Sequence, residues 1–249
     1  MSRPAGLVWH RDGMPPFVVL ALGGSDCEAL RSGWLAQPAN AVSSLAYVAA
    51  GVWLLWRATR SGSARAMLVA AGAAMVGVGV GSVAYHGPQP DWARTLHDGS
   101  IVWLALVIIG HNLWLLTRTS LRRAVLSAAP ALAAVPLVPG SGAGSRLPGP
   151  VVVAGVLVAG AVLARPTITA AARVAWRRSA LWMAPALAAY VAGRTGSALC
   201  RPGLLWQPHA AWHVLSAAGL LCAVLGFAAR TPRPTATGTG SGSGGPPNR

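Results

Sequence analysis

Long apolar segments separated by short polar stretches run through most of the chain. Each segment is close to the roughly 20 residues that an α-helix needs to cross the ~30 Å hydrocarbon core of a bilayer. The pattern therefore predicts an all-α membrane protein with seven transmembrane helices. The predicted spans are residues 36–56, 64–86, 96–117, 121–139, 148–164, 179–199 and 209–229.

Two segments of different character flank this seven-helix domain, which we place at residues 35–230. Residues 1–34 contain one short apolar run, Phe17–Leu22, which is below the usual length of the apolar region of a signal peptide. We interpret them as a folded or surface-lying N-terminal segment outside the cytoplasm, with a cleaved signal as the alternative. Residues 231–249 are mostly Thr, Pro, Gly and Ser, a composition that predicts a disordered tail.

The composition agrees with a membrane protein and argues against a nucleic-acid-binding protein. Only 10% of the residues are charged and 54% are hydrophobic, whereas a soluble domain has about 25% charged residues. All 20 basic residues are Arg, which with the abundant Gly and Pro suggests a GC-rich bacterial genome and hence a bacterial cell membrane. The net charge of +15 does not indicate nucleic acid, because the Arg residues lie at the ends of apolar segments rather than in one patch.

The distribution of Arg predicts the orientation in the membrane. The second, fourth and sixth connections hold one Arg each, namely Arg94, Arg146 and Arg201. The first, third and fifth are richer, with Arg57, Arg60 and Arg65, then Arg118, Arg122 and Arg123, then Arg165, Arg173, Arg177 and Arg178. Because basic loops stay in the cytoplasm, we expect the N-terminus outside and the C-terminus in the cytoplasm.

Ionisable side chains occur at the outer ends of three predicted helices. His86 ends the second span, Asp98 lies near the start of the third, and His209 and His213 begin the seventh. His209 and His213 are four residues apart, so on a helix they share one face and could hold one metal ion. Such a pair alone is a weak signal, because two ordinary polar histidines are the alternative. Convergence with His86 favours a metal site.

Three histidines with an open coordination position are typical of a catalytic zinc site. Zinc would lower the pKa of a bound water and polarise a carbonyl group. Asp98 lies inside an apolar span and is our candidate general base and acid. Ser82, one turn from His86, is the candidate that steadies the water or the oxyanion. Because the site lies at the outer edge of the membrane, the pattern predicts hydrolysis of an amide or ester bond in a lipid.

At these positions the sequence resembles the alkaline ceramidases. These enzymes belong to a wider group of seven-helix zinc hydrolases that includes the progestin/adiponectin-type receptors. The signature blocks of the family are similar to Ser82–His86, Leu96–Asp98 and His209–His213. The family's segment that precedes and enters its first helix is similar to Cys27-Glu28, Gln37–Asn40 and Ser43-Ser44 of this chain.

The resemblance implies a function and assigns roles to residues. His86, His209 and His213 would bind zinc, and Asp98 and Ser82 would assist catalysis. The N-acyl amide bond of ceramide would be cleaved to a sphingoid base and a fatty acid, so the expected partners are a ceramide-like substrate and membrane lipids.

Eukaryotic members of the family bind calcium in an N-terminal acidic loop, which makes Asp26 and Glu28 candidate calcium ligands. Gln37 stands where the family has a carboxylate, and Leu30 lies near an expected Asn. Because calcium prefers several charged oxygen ligands, we expect at most a weak calcium site.

The chain has three cysteines, Cys27, Cys200 and Cys222. Cys27 and Cys200 lie on the predicted outer side, where disulfides persist. The family joins its N-terminal segment to a late outer loop, so the resemblance implies a Cys27–Cys200 disulfide, with two unpaired thiols as the alternative. Cys222 lies in the seventh span and is predicted to be a free, buried thiol.

Several alternatives stay open from the sequence. The protein could be a related hydrolase or lipid-remodelling enzyme that acts on another acyl lipid, or a receptor. A transporter is disfavoured, because it would place charges near the membrane midplane. Arg194 could snorkel outward or contact a substrate head group or carboxylate, and His97 could support Asp98 or simply begin a helix. His111 is about 20 Å farther along the third helix and lies outside the site.

Overall fold

The computed structural model of the protein describes residues 22–117 and 168–230. Within these residues the structure is all-helical. The fourth and fifth predicted spans and the predicted tail lie outside the described residues, as does most of the Phe17–Leu22 run.

Six helices form the described part of the chain. They are α1 Pro38–Ser43, α2 Leu45–Thr59, α3 Arg65–His86, α4 Ala93–Thr117, α5 Ala170–Ala192 and α6 Pro208–Ala228. Four segments among them are long and apolar enough to cross a membrane, namely Pro38–Thr59, Arg65–His86, Ala93–Leu115 and Pro208–Ala228. They match the first, second, third and seventh predicted spans, and they are compatible with an integral membrane protein.

The predicted boundaries of the sixth span were wrong. The prediction was residues 179–199, whereas α5 begins at Ala170 and ends at Ala192. The side chain of Thr169 caps the helix by accepting a hydrogen bond from the backbone N–H of Ala172. Arg is a good helix former, so the cluster of Arg173, Arg177 and Arg178 continues the helix instead of forming a connection. With these charges, α5 is not among the four segments that are apolar enough to span.

Ser44 lies between α1 and α2. The hydroxyl of Ser44 donates a 2.7 Å hydrogen bond to the carbonyl oxygen of Asn40, one turn earlier. Ser43 donates to the same oxygen at 3.0 Å. Such bonds from hydroxyl groups to the preceding turn bend helices. The hydroxyl groups of Ser43 and Ser44 and the carbonyl oxygen of Asn40 all lie within 3.3 Å of His213 Nδ1, near the start of α6.

Small residues allow the helices to pack closely. A Cβ atom on Gly51 would lie 2.7 Å from the carbonyl oxygen of Gly72, so α2 and α3 are in backbone contact at this point. A Cβ atom on Gly81 would lie 2.6 Å from the backbone nitrogen of His97, which brings the end of α3 against the start of α4. A hydrophobic core that includes Leu54, Met75, Ile108, Val224 and Phe227 lies between the helices.

The N-terminal segment folds over one end of this bundle. The N–H of Cys27 donates to the carbonyl oxygen of Gly193 at 2.8 Å, and Gln37 N–H donates to that of His86 at 2.7 Å. Cys27 and Cys200 form a disulfide with Cα atoms 5.4 Å apart, as the resemblance implied. Cys222 is a free thiol, as predicted, but it is half-buried rather than buried.

Candidate metal centre

Three buried histidines meet at the end of the bundle that the N-terminal segment covers. The ring centroids of His86 and His209 are 5.5 Å apart, those of His86 and His213 5.2 Å, and those of His209 and His213 4.7 Å. One potential ligand atom from each ring lies within 4.8 Å of the other two. The three rings could therefore hold one metal ion, as the sequence predicted.

Local sequence explains how the three rings reach this place. His86 is the last residue of α3 and is followed by Gly87, whose backbone N–H bonds to Val83. Pro208 lies in the first turn of α6, where its missing N–H costs nothing, so His209 and His213 occupy the first turns of that helix. Gly193 lets the end of α5 approach, since a Cβ atom there would lie 2.5 Å from the backbone nitrogen of His209.

Protein acceptors hold the Nδ1 atoms of two of these rings. His86 Nδ1 lies 2.6 Å from Oε1 of Gln37. His213 Nδ1 lies 3.1 Å from the carbonyl oxygen of Asn40 and 2.9 Å from the hydroxyl of Ser43. Because a carbonyl oxygen only accepts hydrogen bonds, Nδ1 carries the proton in both rings. In the neutral rings the Nε2 atoms are then unprotonated and available to a metal.

The amide of Gln37 links His86 to the N-terminal segment. Its Nε2 donates to the carbonyl oxygens of Glu28 and Gly23 at 2.7 and 3.0 Å and lies 3.5 Å from that of Asp26. From the sequence, Gln37 was recognised only as a departure from the calcium pattern of the family, so its contact with His86 was not predicted. No periodic signal exists in residues 22–37 from which it could have been found.

The third ring faces a carboxylate. His209 Nδ1 is buried, has no hydrogen-bond partner among the described residues, and lies 3.5 Å from Oδ1 of Asp26. That carboxylate is itself buried and lies 2.6 Å from Nη1 of Arg194. Burial raises the pKa of Asp26 to about 6, although the positive charge of Arg194 acts in the opposite direction.

The two candidate calcium ligands, Asp26 and Glu28, have separate partners in the structure. Both oxygens of Glu28 accept 2.8 Å hydrogen bonds from the backbone N–H groups of Ala39 and Asn40, at the start of α1. The Asp26 carboxylate is paired with Arg194. The weak calcium site stays a prediction from the resemblance, and the function proposed below does not use it.

Asp98 and Ser82 differ in their relation to the three histidines. Asp98 lines the same cavity as the three histidines, and its Oδ1 is 2.8 Å from Nδ1 of His97. The Ser82 hydroxyl is fully buried and lies 2.8 Å from that of Ser44, which is 3.3 Å from His213 Nδ1. Ser82 does not line the cavity, so its contact with the site runs through Ser44.

A cavity of about 210 Å³ opens onto the three rings. Polar residues line it close to the three histidines, among them Asp26, Tyr85, Asp98, Tyr190 and Arg194. Apolar residues line it deeper along the helices, namely Val78, Ile101, Leu104, Met183 and Leu220. Leu220 is seven residues beyond His213, which corresponds to about 10 Å along α6. Most of these polar residues are half-exposed, whereas most of the apolar ones are buried, so we take the polar end beside the three rings as the mouth of the cavity.

The structure defines the surroundings of Arg194 and His97, whose roles the sequence left open. Arg194 lies at the cavity mouth, where it contacts Asp26 and lies over the ring of Tyr190, with its guanidinium carbon 5.2 Å from the ring centroid. His97 contacts Asp98 and stacks on Tyr85, with ring centroids 5.1 Å apart. His111 lies elsewhere in α4 and contacts the carbonyl oxygen of Phe227 at 3.1 Å.

Fold and site together define a helical protein with membrane-length apolar segments and a three-histidine candidate metal centre. No family model, curated protein or solved structure matches the chain. Function is therefore inferred from the geometry of the site and from the sequence blocks that carry its residues.

Proposed function

We propose that the protein is a zinc-dependent integral membrane hydrolase that cleaves the N-acyl amide bond of ceramide-like lipids. The observation that carries the proposal is the convergence of His86, His209 and His213 beside a cavity with a polar mouth and an apolar interior. Water is added across the amide bond, and the products are a sphingoid base and a fatty acid.

The donor set suits zinc better than a hard cation. Three imidazole nitrogens are ligands that zinc prefers, whereas calcium and magnesium prefer oxygen. The acceptors at His86 Nδ1 and His213 Nδ1 fix the neutral tautomer that metal binding needs. A bound zinc ion would lower the pKa of a water and polarise the substrate carbonyl.

Residues of the chain supply the remaining steps. Asp98 accepts a proton from the attacking water and returns it to the leaving amine, and His97 holds its carboxylate at 2.8 Å. Because the Ser82 hydroxyl contacts Ser44, we assign it the role of supporting His213 rather than of touching the substrate. This modifies the direct role expected from the sequence.

The cavity favours a lipid substrate. Its apolar interior suits an acyl chain, and its polar mouth places the reacting bond beside the three rings. Preference for an amide over an ester comes from the resemblance of the blocks around Ser82–His86, Leu96–Asp98 and His209–His213 to the alkaline ceramidases.

The proposed orientation places the site at the outer face of a bacterial cell membrane. Arg57 and Arg60 lie at the end of α2 that points away from the histidines, and Arg65 begins α3 on the same side. Arg173 and Arg177 lie in the half of α5 remote from Gly193 and His209. By the positive-inside rule this Arg-rich end is cytoplasmic, so the metal centre is outside.

A panel of matched lipids tests the activity. Purified protein in detergent would be incubated with N-acyl sphingoid lipids and with O-acyl lipids of the same chain length, and released fatty acid would be measured. We expect release from the N-acyl lipids, and its loss in Asp98→Asn. Release from O-acyl lipids alone would indicate the related hydrolase, and zinc binding without release from any lipid would indicate a receptor.

A further inference from the structure

We propose that Asp26 is a positioning residue of the metal centre, which orients His209 by accepting a hydrogen bond from its Nδ1. Arg194 holds the carboxylate in place from the other side. The inference rests on the metal centre of the proposed function, but not on the hydrolytic activity.

The three rings differ in the partners of their Nδ1 atoms. His86 Nδ1 and His213 Nδ1 have acceptors at 2.6 and 3.1 Å. His209 Nδ1 is buried, and among the described residues it has no hydrogen-bond partner. A buried N–H without an acceptor is costly, and a ring that binds metal through Nε2 carries its proton on Nδ1. His209 therefore needs an acceptor when metal is bound.

Asp26 is the group in place to be that acceptor. Its Oδ1 lies 3.5 Å from His209 Nδ1, slightly longer than an ordinary hydrogen bond. A small rotation of the imidazole would shorten the distance. Asp26 does not belong to the group of potential ligand atoms within 4.8 Å, which contains the three histidines alone in the described part of the chain. The carboxylate therefore orients a ligand rather than acting as one.

Arg194 fixes the direction of that carboxylate. Its Nη1 lies 2.6 Å from the same Oδ1 atom, and its guanidinium carbon lies 5.2 Å from the ring centroid of Tyr190. The Tyr190 ring is 6.0 Å from that of His209. The side chains of Arg194, Asp26 and His209 thus lie in one row, with the Asp26 carboxylate between the other two. A carboxylate paired in this way raises the basicity of a metal-bound histidine and restricts its rotation.

Backbone contacts and the disulfide hold Asp26 against Arg194. Asp26 and Arg194 form a short antiparallel backbone bridge, and Thr195 N–H donates to the carbonyl oxygen of Ser25 at 2.9 Å. Cys27, the next residue, is bonded to Cys200 in the loop between α5 and α6. The N-terminal segment therefore contributes Asp26 to the metal centre. One covalent bond joins this segment to the loop between α5 and α6.

Zinc affinity and a spectroscopic signal test the proposal. Zinc dissociation constants would be measured by competition with a chelator for the wild type, Asp26→Asn and Asp26→Ala. We expect Asp26→Ala to bind zinc about 10- to 100-fold more weakly. Asp26→Asn has the same shape and is expected to lie between the two, with an altered visible absorption spectrum after cobalt substitution. Cys200→Ser should change the affinity in the same direction as Asp26→Ala.

Asp91→Asn is the matched control, because Asp91 is an exposed carboxylate between α3 and α4. It should bind zinc as the wild type does. The thermal unfolding of the metal-free variants separates positioning from folding, since a purely structural Asp26 would lower stability without changing the cobalt spectrum of the folded fraction.

Wild-type zinc affinity and an unchanged cobalt spectrum in both Asp26 variants would overturn the proposal. So would a wild type that binds no zinc, which would also end the proposed function. Zinc binding that depends on Asp26 in a protein without hydrolytic activity would support the inference and contradict only the hydrolase.

Discussion

Gln37 Oε1 lies 2.6 Å from His86 Nδ1, and the Nε2 atom of the same side chain lies within 3.5 Å of three carbonyl oxygens of the N-terminal segment. One buried amide therefore accepts a hydrogen bond from a candidate metal ligand and donates hydrogen bonds to the backbone of residues 23–28. The orientation of the amide is determined, because only its oxygen can accept from His86 and only its nitrogen can donate to carbonyl groups.

Replacing Gln37 should affect both stability and metal affinity. Gln37→Ala removes the acceptor of His86 and leaves carbonyl oxygens without a donor, so we expect a loss of about 1–3 kcal/mol in the free energy of unfolding. Zinc affinity should fall about 10- to 100-fold. Chemical unfolding and chelator competition would measure the two effects.

Gln37→Glu separates these contributions. A carboxylate can still accept from His86 Nδ1, but its second oxygen would face the carbonyl oxygens of Gly23 and Glu28. We expect lower stability with zinc affinity closer to that of the wild type than in Gln37→Ala. Equal stability of Gln37→Glu and the wild type would mean that the three carbonyl contacts contribute nothing.

Asp98→Asn should abolish hydrolysis without removing the metal. Asp98 lines the cavity but is not one of the three grouped ligand residues, so its proposed role is proton transfer. We expect a loss of at least about 10²-fold in kcat, as for other general acid–base groups, with wild-type zinc content. Normal turnover by this variant would show that Asp98 is structural.

Ser82→Ala should have a smaller effect than Asp98→Asn. Its hydroxyl contacts Ser44 and does not line the cavity, so the variant loses one hydrogen bond behind His213. A net value of about 1 kcal/mol corresponds to a several-fold loss of activity. Kinetics of the two variants would be compared in one preparation. A loss as large as that of Asp98→Asn would place Ser82 at the reacting atoms instead.

Peptide mapping without reduction tests the covalent link. We expect Cys27 and Cys200 in one linked peptide pair and Cys222 as an alkylated thiol. Recovery of Cys27 and Cys200 as separate alkylated peptides would contradict the disulfide. It would also weaken the assignment of this end of the protein to the outer face, where disulfides persist.

The sequence predicted those parts of the molecule that have a periodic or compositional signal. Hydropathy located the four apolar helices within a few residues, and the four-residue spacing of His209 and His213 placed both rings on one face of α6. The Arg-rich start of α5 was missed, because Arg was taken as a marker of connections although it is also a good helix former.

Side-chain contacts of the N-terminal segment could not be predicted in the same way. The positions of Gln37 and Asp26 depend on how an irregular segment folds over three helix ends, and no repeat in the sequence encodes this. The resemblance linked Asp26 and Glu28 through calcium, whereas packing against Arg194 and the start of α1 gave them separate partners.

The zinc content of the purified protein decides whether His86, His209 and His213 form a metal centre. Elemental analysis should find about one zinc per chain, because three histidines with an open position bind a single ion. His213→Ala should lose most of it, and the triple variant His86→Ala, His209→Ala, His213→Ala should lose all of it. His111→Gln, which alters a histidine outside the centre, should retain it. Full zinc occupancy in the triple variant would contradict the account.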